Sequence, residues 1–212
     1  MLRLRSRCRS TVGRVIRSLS ESLNRAASIG PYDPPARRYK RFGQGSIINW
    51  PTGNMYGERW ISIGDNTMIA GQVTLSAGMM PGQQMMTDPV VIIGDRCLIG
   101  RGSAIVGHYR IDIGDDVFTG MNVYITDQNH GYEDIEVPIG IQEPEDDPVV
   151  IGSGSWIGSG AVVLPGARLG EHCVVAANSV VRGEFPPYSV VAGVPAKVVR
   201  HHNGAGWTRP ES

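Results

Sequence analysis

Residues 151–186 read IGSGSW IGSGAV VLPGAR LGEHCV VAANSV VRGEFP when cut every six. An aliphatic residue opens each hexad. The fifth position holds Ser155, Ala161, Ala167, Cys173 and Ser179, with the bulkier Phe185 at the end. The same period runs through IGDRCL IGRGSA IVGHYR from Ile93. It resumes after Ile111 and Asp112 as IGDDVF TGMNVY ITDQNH from Ile113, and an earlier pair, IGDNTM IAGQVT, starts at Ile63. Six residues are too few for a helical repeat and suit one short strand plus a turn. Three such units close a triangular coil of about eighteen residues, with the aliphatics inward and parallel ladders joining successive coils. The fold class expected is all-β, a parallel β-helix.

Composition agrees with a fold of tight turns and small inward side chains: glycine occurs 28 times and aromatics make up 7%. The 212 residues suit one domain or one domain plus an appendage. No apolar run reaches membrane-spanning length. Cys8, Cys97 and Cys173 form no C-x-x-C pair, which points to reduced thiols and a cytoplasmic protein. Cys97 and Cys173 occupy the fifth hexad position and read as small buried residues.

Charge is balanced overall but not evenly placed. Residues 1–41 carry eleven Lys and Arg against Glu21 and Asp33, and the remainder is correspondingly acidic. Val12, Val15, Ile16, Leu19 and Leu23 recur at helical spacing, so an amphipathic helix is expected over residues 11–27. Three roles compete: a helix docked on the body or capping it, which is preferred; a membrane-surface or polyanion contact through residues 1–27; and an Arg-rich transit peptide. The organisation expected is a basic helical segment over 1–41, the coil over 42–200 and a tail over 201–212.

Two segments break the period: SAGMMPGQQMMTDP at 76–89 and DQNHGYEDIEVPIGIQEPEDDPV at 127–149. Loops leaving a rigid coil are natural places for chemistry. The second opens on Asp127, Asn129 and His130. An imidazole there suits general-base work near neutral pH. Asp127, Glu133 and Asp134 are candidates to orient it. The pairs Met79–Met80 and Met85–Met86 read as an adaptable apolar surface, buried against a neighbouring subunit or filling the loop.

Repeat, NHG turn and the ending PPYSVVAGVPAKVVR (186–200) together resemble the hexapeptide-repeat acyltransferases, most closely the galactoside, maltose and polysaccharide O-acetyltransferases. The resemblance covers roughly residues 60–200. It implies a left-handed coil, where the usual crossover rule would give a right-handed one. It also implies transfer of an acyl group, expected to be acetyl, from acetyl-CoA to a hydroxyl, with His130 as the base. Trp156 would lie near the pantetheine arm, Ser159 and Ala177 would let that arm run against the coil, and Lys197, Arg200 and Arg182 would meet coenzyme A phosphates. N–H groups near Ser159 would hold the oxyanion. His108 and Ser103 are further acceptor-side candidates, with Asp127 and Asn129. Galactoside-type enzymes place an Asn one coil before the His; here IGRGSAIVGHYR (99–110) puts Gly102 and Ser103 near that position, which points to a different acceptor.

The acceptor expected is a saccharide, then a xenobiotic or antibiotic hydroxyl, then an amino sugar. The resemblance also implies homotrimers with clefts between subunits. No nucleic-acid partner and no metal are expected: His108 and His130 stand too far apart in sequence for a zinc site of the γ-carbonic-anhydrase kind. A non-catalytic β-helix scaffold is the alternative of another class. His172 falls in a hexad turn and is expected at the surface.

Overall fold

The computed structural model describes residues 2–80 and 82–209, with residues 2–11 as backbone alone. Three parallel ladders wind into one left-handed β-helix. The first face stacks strands 41–42, 61–63, 91–93, 111–113, 149–151, 168–169 and 184–185. The second stacks 47–48, 68–69, 98–99, 118–119, 156–157, 174–175 and 189–193, and the third 55–56, 74–77, 104–107, 124–126, 162–163 and 180–181.

Register follows the hexads. Ile63, Ile93, Ile113, Ile151, Leu169 and Phe185 form one inward column. Leu75, Ile105, Ile125, Val163 and Val181 form another. All are buried. Each such side chain contributes roughly 1.5–3 kcal/mol when taken out of water. The fifth-position hydroxyls tie coil to coil. Thr67 Oγ1 donates to the Gly94 carbonyl at 2.7 Å and accepts from the Cys97 N–H at 3.0 Å. Ser103 Oγ donates to Gly120 O and accepts from Val123 N–H.

The fourth hexad position turns the corner with a positive φ, which is why Asn122 (φ 56°) and Asn178 (φ 58°) stand there. His172 (φ 55°) holds the same place and is exposed, as expected. Glycine at the second position has another cause: a Cβ on Gly158 would sit 2.5 Å from the Ala177 nitrogen of the next coil. Cys97 and Cys173 are buried, and burial pushes both thiols above the usual range, as fits inert filling. The side chain of Cys8 lies outside the described residues.

The ends differ from expectation. The helix runs over Leu2–Ala27, longer than the 11–27 read from the stripe. It does not dock along the body: Val12, Val15, Ile16, Leu19 and Leu23 are 52–64% exposed. The helical segment also stops well before residue 41. Ile29 already bridges Ile48, and the Pro34–Arg38 turn buries Ala36, with Tyr39 buried just beyond it. At the other end no break falls at 200. Strand Ala196–His202 folds back antiparallel on Ser189–Gly193 and is followed by Trp207–Thr208. These close the second ladder, and residues 210–212 lie outside the described residues.

Candidate active site

The coil opens at one corner, between the third and first faces. Strand 124–126 ends there and the first face resumes at Val149. Between them Gln128–Asn129 pairs antiparallel with Glu145–Asp146, so the loop leaves the coil as a short hairpin. Asn129 and His130 follow on its outgoing arm, and both are exposed.

Asp127 sits beneath this hairpin with no exposed surface. Its Oδ1 accepts the His108 N–H at 2.8 Å; its Oδ2 accepts those of Tyr109 at 2.9 Å and Arg110 at 2.5 Å. The carboxylate therefore pins the corner of the preceding coil. It is out of reach of a substrate, and the acceptor role expected for it is withdrawn. The same holds for Ser103, which is buried and spends its hydroxyl between coils.

Burial is the main influence on the Asp127 carboxyl and raises its pKa; the three N–H donors pull it down only in part, and Asp146 adds to the rise. A carboxyl whose pKa is raised by folding binds its proton more tightly folded than unfolded. Its contribution to stability therefore falls as pH climbs from the ordinary Asp range through the raised value, and is flat above it.

Among the described residues no carboxylate is hydrogen-bonded to His130. Asp134 Oδ1 accepts the Glu136 N–H, and Asp134 O accepts from the Gln142 amide at 2.8 Å, so Asp134 serves its own loop. Glu133 is exposed. The carboxylate that meets an imidazole is Asp146, and the imidazole is His108. His108 Nδ1 lies 2.9 Å from both Asp146 oxygens. His108 Nε2 lies 3.0 Å from Gln83 Nε2. Gln83 Oε1 accepts the Met79 N–H at 2.8 Å, so its amide nitrogen is the end that faces the ring. Nε2 is then the acceptor and Nδ1 carries the proton given to Asp146. Gln128 Nε2 donates to Asp146 as well, at 3.1 Å. One ring thus fastens the methionine loop, the preceding coil and the hairpin that presents His130.

The remaining predicted residues fall elsewhere on the prism. Trp156 is 52% exposed on the second face, between Phe118 and Val174 in register. Ser159 and Ala177 are exposed on the corner between the second and third faces, one coil apart; Ser159 Oγ accepts the Met121 N–H at 3.1 Å. Lys197 pairs with Ala192 and Arg200 with Val190 on the hairpin that closes the second ladder, both exposed. Arg182 is exposed on the turn after 180–181, at the corner between the third and first faces. In a three-sided coil, the corner that bears His130 stands opposite the face that bears Trp156. One chain keeps His130 and Trp156 apart. Among the described residues no group of three His, Cys, Asp or Glu is placed to hold a metal. A crevice of about 670 Å³ lies away from this loop, between the helix end and the coil, lined in part by Arg25, Trp50 and Arg101.

Residues 90–127 match the family described as hexapeptide repeat of succinyl-transferase, and residues 148–183 match bacterial transferase hexapeptide (six repeats). The probable acetyltransferase Rv3034c of Mycobacterium tuberculosis is 38% identical over 144 residues, 68% of this chain and 43% of that one. Galactoside O-acetyltransferase of Escherichia coli is 31% identical over 146 residues, 69% of this chain and 66% of that one. The chain belongs to the hexapeptide-repeat acetyltransferase family. It spans less than two thirds of the length of either relative. The crystal structure of a hexapeptide-repeat acetyltransferase, VCA0836 of Vibrio cholerae, in complex with acetyl-CoA, is 26% identical, with a TM-score of 0.56 over 91% of this chain and 86% of that one.

In this member of the hexapeptide-repeat family the His108–Asp146 contact was missed by sequence reading. The partners lie 38 residues apart, across a loop whose path the hexads do not fix. Asp127 offered a signal: it falls one coil after residues 108–110. We expect His108→Phe, which keeps a ring but loses both contacts, to accelerate amide exchange across residues 128–147. The 150–181 ladders should keep their protection. Unchanged exchange in the loop would show that the ring does not brace it.

Proposed function

We propose that this protein moves an acetyl group from acetyl-CoA to a hydroxyl of a saccharide or a related small molecule, with His130 as general base. The observation that carries the reading is the single imidazole set on a braced hairpin where the coil opens, exposed and bonded to no other described residue. That is how a base must stand if its partner is a substrate.

The chemistry follows from the groups. A hydroxyl is a weak nucleophile until its proton leaves, and His130 takes that proton as the oxygen attacks the thioester carbonyl. The C–O bond forms, and the carbonyl electrons move onto oxygen. N–H groups along the Ser159 corner are suited to hold that charge. Collapse breaks the C–S bond, and the proton held by His130 goes to the departing thiolate. Ser159 and Ala177 are small enough for a thin thiol arm to lie against the coil. Lys197, Arg200 and Arg182 are exposed and form no ion pair with another described residue, so they are available to phosphates. The name of the galactoside O-acetyltransferase supports a saccharide acceptor.

Because base and donor wall stand on opposite sides of one prism, the working site is built between copies, each giving its His130 to a neighbour's donor corner. Cyclic trimers satisfy this, since every copy then uses both surfaces once. Two measurements test the reading. Coenzyme A release from acetyl-CoA is followed with sugars, sugar nucleotides and hydroxylated antibiotics in turn; no binding of acetyl-CoA would sink the donor assignment. Then His130→Ala chains are mixed and reassembled with Ser159→Trp chains, whose donor corner is blocked. Activity should return to about a quarter of the wild-type level, the chance that a site draws its two good halves from different chains. No return places both halves on one chain.

A further inference from the structure

The amino-terminal helix has a surface that no other described residue covers. Val12, Val15, Ile16, Leu19 and Leu23 are each more than half exposed. At about 100° per residue they fall within one sector roughly 100° wide, with Arg14, Arg17, Glu21 and Arg25 on the far side. Among the described residues, the helix is joined to the coil at its end. There Ser28 Oγ donates to Asn24 O at 2.7 Å and accepts the Trp50 N–H at 3.2 Å, and Ile29 bridges Ile48. Five aliphatic side chains in a row, on a helix that stands off its own body, call for a partner.

Two occupants fit the shape: the same stripe on other copies, or a lipid surface. Spacing does not decide between them, because Val12, Ile16, Leu19 and Leu23 also follow the alternating steps of a coiled-coil seam. Charge does. Residues 1–27 hold seven Arg and one Glu, a net charge of +6, while residues 28–212 hold 13 basic and 19 acidic residues, a net charge of −6. Parallel copies of this helix would bring like charges together along the seam. An anionic lipid surface attracts them, by about 1 kcal/mol for each Lys or Arg close to it. We infer that this helix lies in the plane of an anionic lipid surface, with the aliphatic stripe in the headgroup and acyl boundary and the coil held on the aqueous side. Among the described residues no helix is long and apolar enough to cross a membrane, so the contact is lateral. The acidic body is repelled by the same surface, which fixes the orientation. The inference does not depend on the acetyl-transfer reading.

The test is flotation of the full chain with phosphatidylcholine vesicles, with and without phosphatidylglycerol. We expect binding only to the anionic vesicles, weakened by added salt because the attraction is screened within about 10 Å at 0.1 M. The triple substitution Ile16→Ser, Leu19→Ser and Leu23→Ser should lower partitioning by roughly tenfold or more. Arg17→Glu with Arg25→Glu should lower it as well. The melting of the coil serves as the folding control and should not move, since these side chains make no core contact. Three outcomes overturn the inference: no flotation with anionic vesicles, flotation indifferent to the serine variant, or a serine variant that changes only the sedimentation of the free protein. The last would assign the stripe to other copies of the chain.

Discussion

His130→Ala should cut acetyl transfer by roughly 10²–10⁴-fold, the usual worth of a positioned general base. The loss should fall on kcat, because the ring touches the acceptor proton and not the donor. Acetyl-CoA affinity and the melting midpoint should stay where they are: His130 is exposed and contributes to no packing. A variant that keeps full transfer would remove His130 from the mechanism. The next candidate would be His108, the other imidazole at this corner.

Asp127→Ala should be the most damaging single change to the fold around the site. It removes the acceptor of three successive N–H groups at residues 108–110 and leaves them partly buried with no partner. Unmet donors of this kind cost about 1–3 kcal/mol each. With some relaxation toward water, a total of roughly 2–4 kcal/mol is expected, or some 5–15 °C in melting midpoint for a chain of this size. Transfer should fall too, since the corner that braces the His130 hairpin is loosened. Asp127→Asn keeps the volume and one oxygen able to accept the Tyr109 and Arg110 N–H groups, but it turns an amide nitrogen toward that of His108, so it should fall between wild type and Ala in stability. Both should abolish the decline in stability that the buried carboxyl produces as pH rises through its raised pKa. A midpoint within 1–2 °C of wild type, on the same scale, would mean the three N–H groups find other partners.

The coil was readable because its core is one-dimensional. Each inward aliphatic depends only on the hexad above and below, so Ile93, Ile113 and Ile151 could be aligned from spacing alone, and the turn residues Asn122 and Asn178 mark corners by their backbone preference. The site was half readable. The position of His130 at the break followed from the failure of the period. The brace under it did not, because Asp146 returns from a loop with no repeat, and because Asp127, read as a residue to orient His130 or to hold the acceptor, instead takes the N–H groups of the preceding coil. Acidic side chains near a histidine in sequence, Glu133 and Asp134, proved the wrong ones. The helix shows the same divide: its stripe is written in residues 12–23, while no described residue of the chain covers it.

Ile113 lies beside Ile151 in the ladder as though nothing separated them, although the chain between them travels out through the whole hairpin and back. The interior therefore does not register how long that excursion is or what it carries. On the proposed function, exchanging residues 131–144 for another segment should alter acceptor preference, with the hydrophobic shaft left untouched. Such a graft should change what is acetylated before it changes how well the protein folds.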